Sequence, residues 1–66
     1  MNDKLKRFTE LCCNSRKNGL TMEQHLEKRK LADELVTEGV MTYDGCYDFV
    51  NEEDSKFFQE MIDATK

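Results

Sequence analysis

The chain has 66 residues, no proline, no tryptophan and a formal net charge of −4. Domains run from roughly 50 to 250 residues, so residues 1–66 make one small domain whose core is thin. No apolar run exceeds three residues, which excludes a membrane span of ~20, and the opening Met-Asn-Asp-Lys-Leu-Lys-Arg carries no apolar stretch of a secretion signal.

The net charge conceals a division. Residues 1–30 hold eight Lys/Arg against four Asp/Glu, a local +4, and residues 31–66 hold two against ten, a local −8. Asymmetry of this kind bears on partners and association rates rather than on fold.

Leu5, Phe8, Leu11, Cys12 and Ser15 follow helical spacing and predict a first helix from about Asn2 to Lys17. Asn2 or Asp3 caps its start, and Asn18-Gly19 ends it because glycine takes the left-handed conformation without a Cβ penalty. Thr21-Met22-Glu23-Gln24 reads as a capping box that opens a second helix, expected to run to Glu38 and stop at Gly39. Its polar face is expected to carry Glu23, Glu27, Lys30, Glu34, Thr37 and Glu38, with Glu27–Lys30 and Lys30–Glu34 pairs. Met22, His25, Leu26, Leu31, Ala32, Leu35 and Val36 spread over the other side, an arc wide enough for more than one neighbour.

Residues 40–50 are rich in β-branched and aromatic side chains around Asp44-Gly45, which predicts a β-hairpin with strands of about four residues and a type I′ turn. Asn51 then caps a third helix, with Glu52, Glu53 and Asp54 in its first turn and Phe57, Phe58, Met61 and Ile62 as its stripe. The expected fold is mainly α: an antiparallel helical hairpin, a short Asp-Gly β-hairpin and a third helix, in the order ααββα.

No catalytic constellation is present. Cys12, Cys13 and Cys46 lack the spacing of a C-x-x-C pair, and a Cys12/Cys13/His25/Cys46 zinc site would need two adjacent cysteines on one tetrahedral ion. The cysteines are read as packing residues, with Cys13 the exposed thiol, and no metal or cofactor is expected. Glu52, Glu53, Asp54 and Asp44 are explained by capping and turn chemistry.

Two stretches resemble known families. Glu38-Gly39-Val40-Met41 followed by Asp44-Gly45-Cys46-Tyr47 resembles the passage from recognition helix to wing in winged-helix regulators, although the tip is acidic and a third upstream helix is missing. Leu5 to Leu11, Gly19-Leu20-Thr21-Met22-Glu23 and Leu31-Ala32-Asp33-Glu34-Leu35 resemble the helical hairpins of YnzC-like bacterial proteins and of short C-terminal hairpin domains. The second resemblance implies the hairpin and brings no catalytic residue.

The leading expectation is a small cytoplasmic, non-enzymatic regulator or inhibitor that binds another protein stoichiometrically. Its contact residues are expected to be Tyr43, Asp44, Tyr47, Asp48, Glu52 and Glu53, aromatic side chains amid acids. Proteins of this size and charge are common among inhibitors and adaptors encoded by phages and mobile elements. The alternative is a winged-helix-like nucleic-acid-binding regulator using Lys28, Arg29 and Lys30, against which the pI of 4.9 weighs. A homodimer, favoured by the wide apolar arc of the second helix, is the third.

Overall fold

The computed structural model describes residues 2–65. Helix α1 spans Asp3–Lys17, α2 Met22–Thr37, strand β1 Met41–Tyr43, β2 Tyr47–Phe49 and α3 Glu52–Ala64, the expected ααββα order. The side chain of Asn2 accepts the Lys4 amide at 2.9 Å, and that of Asn51 accepts the Glu53 amide at 2.8 Å. The Thr21–Gln24 capping box closes in both directions, at 3.2 and 3.0 Å. Each bond satisfies an amide that the helix itself leaves unpaired.

The exit from α2 determines where the hairpin goes. Gly39 has φ +79°, its N–H donates to the Val36 carbonyl at 3.1 Å, and the Val40 N–H donates to the Leu35 carbonyl at 2.9 Å. This is a Schellman motif, in which the glycine reverses the chain and the next apolar residue returns to the helix. Val40 accordingly packs on the core that holds Leu35, and β1 starts beside the helix it has just left.

The two strands pair antiparallel, Met41 with Phe49, Thr42 with Asp48 and Tyr43 with Tyr47. They are three residues each, one shorter than expected, although the Val50 N–H adds a further bond to the Val40 carbonyl at 3.1 Å. The expected type I′ turn does not form. Tyr43–Tyr47 pairing leaves a three-residue loop, Asp44-Gly45-Cys46, in which only Gly45 has positive φ, at +84°. Type I′ would require positive φ at Asp44 as well. Here the Asp44 N–H donates instead to the Cys46 carbonyl at 3.3 Å.

The core gathers Leu5, Phe8, Cys12 and Cys13 of α1 with Leu35, Met41 and Ile62, and Phe49 and Phe58 pack against it. Phe8 is fully buried, with its ring edge-on to Tyr47 at 5.1 Å and stacked with Phe58 at 6.1 Å. Phe49 and Phe58 lie 5.0 Å apart. Of the α3 phenylalanines, Phe58 therefore joins the core, and Phe57 remains half-buried outside the cluster. The one buried polar side chain among the described residues, Thr9, donates its hydroxyl to the Leu5 carbonyl at 2.8 Å.

Helix α2 is turned differently from the sequence expectation. Leu35 is its buried residue and Leu31 and Ala32 pack on the core, whereas Met22, Leu26 and Val36 are 74%, 60% and 42% exposed. The carboxylates expected on a solvated face reach α1. Arg7 grips Glu27 through two nitrogens, Nε at 2.8 Å and Nη2 at 3.1 Å, and also meets Glu10 at 3.3 Å. Lys4 pairs with Glu38 and lies 3.5 Å from Glu34. These bonds replace the Glu27–Lys30 and Lys30–Glu34 pairs. The docking of Leu31 and Leu35 on α1 and the two cross-helix cations set the rotation together.

The Arg7 guanidinium holds the Glu27 carboxyl below its ordinary range, and the Lys4 ammonium does the same to Glu38. A carboxyl with a lowered folded-state pKa contributes stability that is complete above its unfolded value and lost as pH falls through the folded one. The thermal midpoint should therefore fall as pH drops below about 4.3, the ordinary glutamate value. Because these pairs are surface-exposed, ~1 M salt should flatten that slope. A Tm that is flat from pH 6 to pH 3 at low salt contradicts the pairing. Phe8→Ala should cost about 3–5 kcal/mol. A chain this short holds only about 3–10 kcal/mol in all, at roughly 0.05–0.15 kcal/mol per residue. The thermal midpoint of this variant, followed by far-UV circular dichroism, should fall by about 12–40 °C, at roughly 4–8 °C per kcal/mol for a domain of this size.

Candidate protein-binding surface

Alternation along the hairpin divides the residues expected to bind a partner. Tyr43 and Tyr47 are cross-strand neighbours, their rings 5.0 Å apart, on the face turned toward the helices. Tyr47 is half-buried against Phe8, and burial raises its hydroxyl pKa. Tyr43 is 61% exposed. Thr42 and Asp48, the pair between, point to the opposite, solvent face and are exposed.

The acids fall at two ends. Asp44 is in the loop at the tip, whereas Glu52 and Glu53 follow the far end of β2, in the first turn of α3. All are exposed, and none uses its side chain in an ion pair or hydrogen bond among the described residues. The structure thus brings Tyr43, Tyr47 and Asp44 together and separates them from Asp48, Glu52 and Glu53.

What Tyr43 and Tyr47 do meet is α2. With Ala32, Asp33 and Val36 they line an open cleft of about 210 Å³. Small-molecule sites usually enclose ~300–1,000 Å³, so this one suits a single side chain rather than a substrate. The sequence separated Ala32, Asp33 and Val36 from the tyrosines by a turn and half a strand. The signal that could have joined them is the Gly39 reversal, which folds β1 back along α2.

The basic alternative loses its geometry. Consecutive helical residues point about 100° apart, so Lys28, Arg29 and Lys30 diverge over more than half the circumference of α2. Lys28 is half-buried on the α1 side, and the other two are exposed in different directions. Lys4 and Arg7 are already occupied by glutamates. No continuous basic stripe remains on α2.

The cysteines correct one expectation. Cys13 is buried, its Sγ donating to the Met61 carbonyl at 3.5 Å, and Cys12 is buried beside it. Helix α3 covers this side of α1, which the sequence pattern alone left open. Burial pushes the Cys12 thiol up to about 11, with Lys28 opposing part of the rise. The exposed thiol is Cys46, in the hairpin loop. No group of three or more His, Cys, Asp or Glu among the described residues is placed to hold a metal ion. Among the described residues no helix is long and apolar enough to cross a membrane.

Comparison with protein-family models, with curated proteins and with solved structures gives no significant match. The geometry of this surface is therefore the ground on which function is argued.

Thiol access checks the placement. With an excess of a thiol-reactive probe at pH 7.5, one cysteine should react rapidly, and peptide mapping should find the label on Cys46. The other two should react only as fast as the fold opens, or at once in denaturant. Rapid labelling of Cys13 in the folded protein would contradict its burial under α3.

Proposed function

We propose that this chain is a non-enzymatic protein of the cytoplasm that acts by stoichiometric binding to another protein, as a regulator or inhibitor. The observation that carries the reading is the cleft between α2 and the hairpin tip. There an exposed Tyr43 stands over Ala32 and Val36, and Asp33 and Asp44 bring negative charge to the same region. An apolar pocket with an aromatic anchor and a charged rim is the usual make-up of a protein contact, and tyrosine serves it because its ring buries area while its hydroxyl stays wet.

The partner this surface suits presents one apolar side chain flanked by Lys or Arg. Asp48, Glu52 and Glu53 add to the negative field around the hairpin and would speed the encounter rather than form the contact. Three free cysteines, one of them exposed, suit a reducing compartment.

Affinity capture comparing the wild type with Tyr43→Ala and with Asp33→Lys tests the reading. Both residues are exposed, so both variants should keep their helix content. Loss of a hot-spot tyrosine costs about 2 kcal/mol or more, roughly a thirtyfold drop in affinity. Full retention of the same partner by both variants removes the cleft as the site. Tyr47→Ala is the wrong probe, because that ring also packs on Phe8. A titration with mixed-sequence DNA at two salt concentrations should give no salt-steep affinity; clear binding that weakens steeply with salt favours the nucleic-acid alternative.

A further inference from the structure

The outward face of α2 carries a second pattern, which shares Asp33 and Val36 with the hairpin-tip cleft and is told apart from it by Tyr43, a cleft residue outside the seam. At about 100° per residue, Met22, Leu26, Arg29, Asp33 and Val36 fall within an arc of about 80°, opposite the buried Leu35. Their spacing alternates four, three, four and three, the seam of a coiled coil. Met22 and Leu26 are more than half exposed and Val36 is 42% exposed. Arg29 and Asp33 are exposed, and neither makes an ion pair or hydrogen bond among the described residues.

We propose that this face pairs with the same face of a second copy of the chain, antiparallel, about a twofold axis at Leu31. Leu26, Arg29, Asp33 and Val36 are self-complementary about that point, whereas Met22 lies beyond the paired segment, opposite the chain reversal that follows α2. Leu26 meets Val36 of the second copy, Arg29 meets its Asp33, and each contact occurs twice, as a twofold interface requires. The opposite-charge pairs sit next to the axis, flanked by apolar layers on both sides. A parallel pairing would place Arg29 on Arg29 and Asp33 on Asp33, so the charges also select direction. Lys30 lies beside the axis, where its two copies face one another and weaken the pair.

The size of the contact sets its strength. The paired segment offers four side chains from one face of a 16-residue helix, an area small beside the ~800 Å² per partner of a typical interface. The dimer is therefore weak and concentration-dependent.

Sedimentation equilibrium from ~10 μM to ~1 mM, the range of weak association, tests the proposal. The wild-type mass should rise from 7.8 kDa toward twice that value. Arg29→Asp and Asp33→Arg should each remain monomeric throughout, because each opposes like charges across the axis. An equimolar mixture of the two should dimerise, since one variant then brings only acids to the axis and the other only arginines. Lys30→Ala should strengthen the wild-type pair. Circular dichroism verifies that each variant is folded, and Leu26→Lys replaces any that is not. A monomeric wild type at ~1 mM overturns the proposal. So does a dimer indifferent to both charge reversals, or a mixture of the two variants that stays monomeric.

Discussion

Phe8 lies where α1, the hairpin and α3 meet, and the rest of the arrangement follows from its being dry. Its ring is fully buried, with Tyr47 edge-on at 5.1 Å and Phe58 stacked at 6.1 Å. A two-stranded hairpin is marginal in water by itself and holds its shape only where its inner face packs on something apolar. Phe8 and the neighbouring Leu35 provide that support, through Tyr47 and Met41. The position of Tyr43 depends on the same support, because Tyr43 is held by its cross-strand partner and has little core contact of its own. A surface tyrosine is thus placed by a core phenylalanine two contacts away.

Electrostatics decides a different matter, the rotation of α2. Arg7 and Lys4 on α1 draw Glu27, Glu34 and Glu38 toward the helix interface. Exposed pairs of this kind contribute little to stability. They act with Leu31 and Leu35 to orient the helix, and orientation has consequences on its far side. With Leu35 inward, Met22, Leu26 and Val36 face solvent, together with Arg29 and Asp33. The charge asymmetry of the sequence is therefore partly cancelled inside the fold. What remains unpaired on the hairpin and at the start of α3 is acidic, and what remains unpaired on the seam of α2 is one charge of each sign.

Local features were legible before any tertiary information. Asn2, Thr21-Gln24 and Asn51 cap because a side-chain oxygen beside an unpaired amide forms its bond within four residues. Gly39 and Gly45 take positive φ because other residues resist it. The element order follows from these signals and the apolar spacing. The phase of α2 was not legible, since its apolar residues occupy so wide an arc that several rotations bury some of them. The burial of Cys13 was hidden for a similar reason. It lies off the stripe that faces α2, and only the return of α3 covers it. Of the site, Tyr43, Tyr47 and Asp44 were readable as a group because a hairpin pairs them. Ala32, Asp33 and Val36 were not, because the Gly39 reversal sends β1 back along α2 without fixing which face of the helix it meets.

The sequence by itself determined where each helix begins and where the first two end, that a hairpin interrupts them, and that the second half is acidic. Those outcomes depend on neighbours within a few residues, whose bonds form whatever else the chain does. The tertiary structure alone decided which side of α2 is buried, which cysteine meets solvent, and that the tyrosines share a cleft with α2 while Asp48 faces away from it. Each of these depends on contacts between residues distant in the chain, where burial of Phe8 and Leu35 and the reach of Arg7 and Lys4 select one arrangement among several that satisfy the local rules.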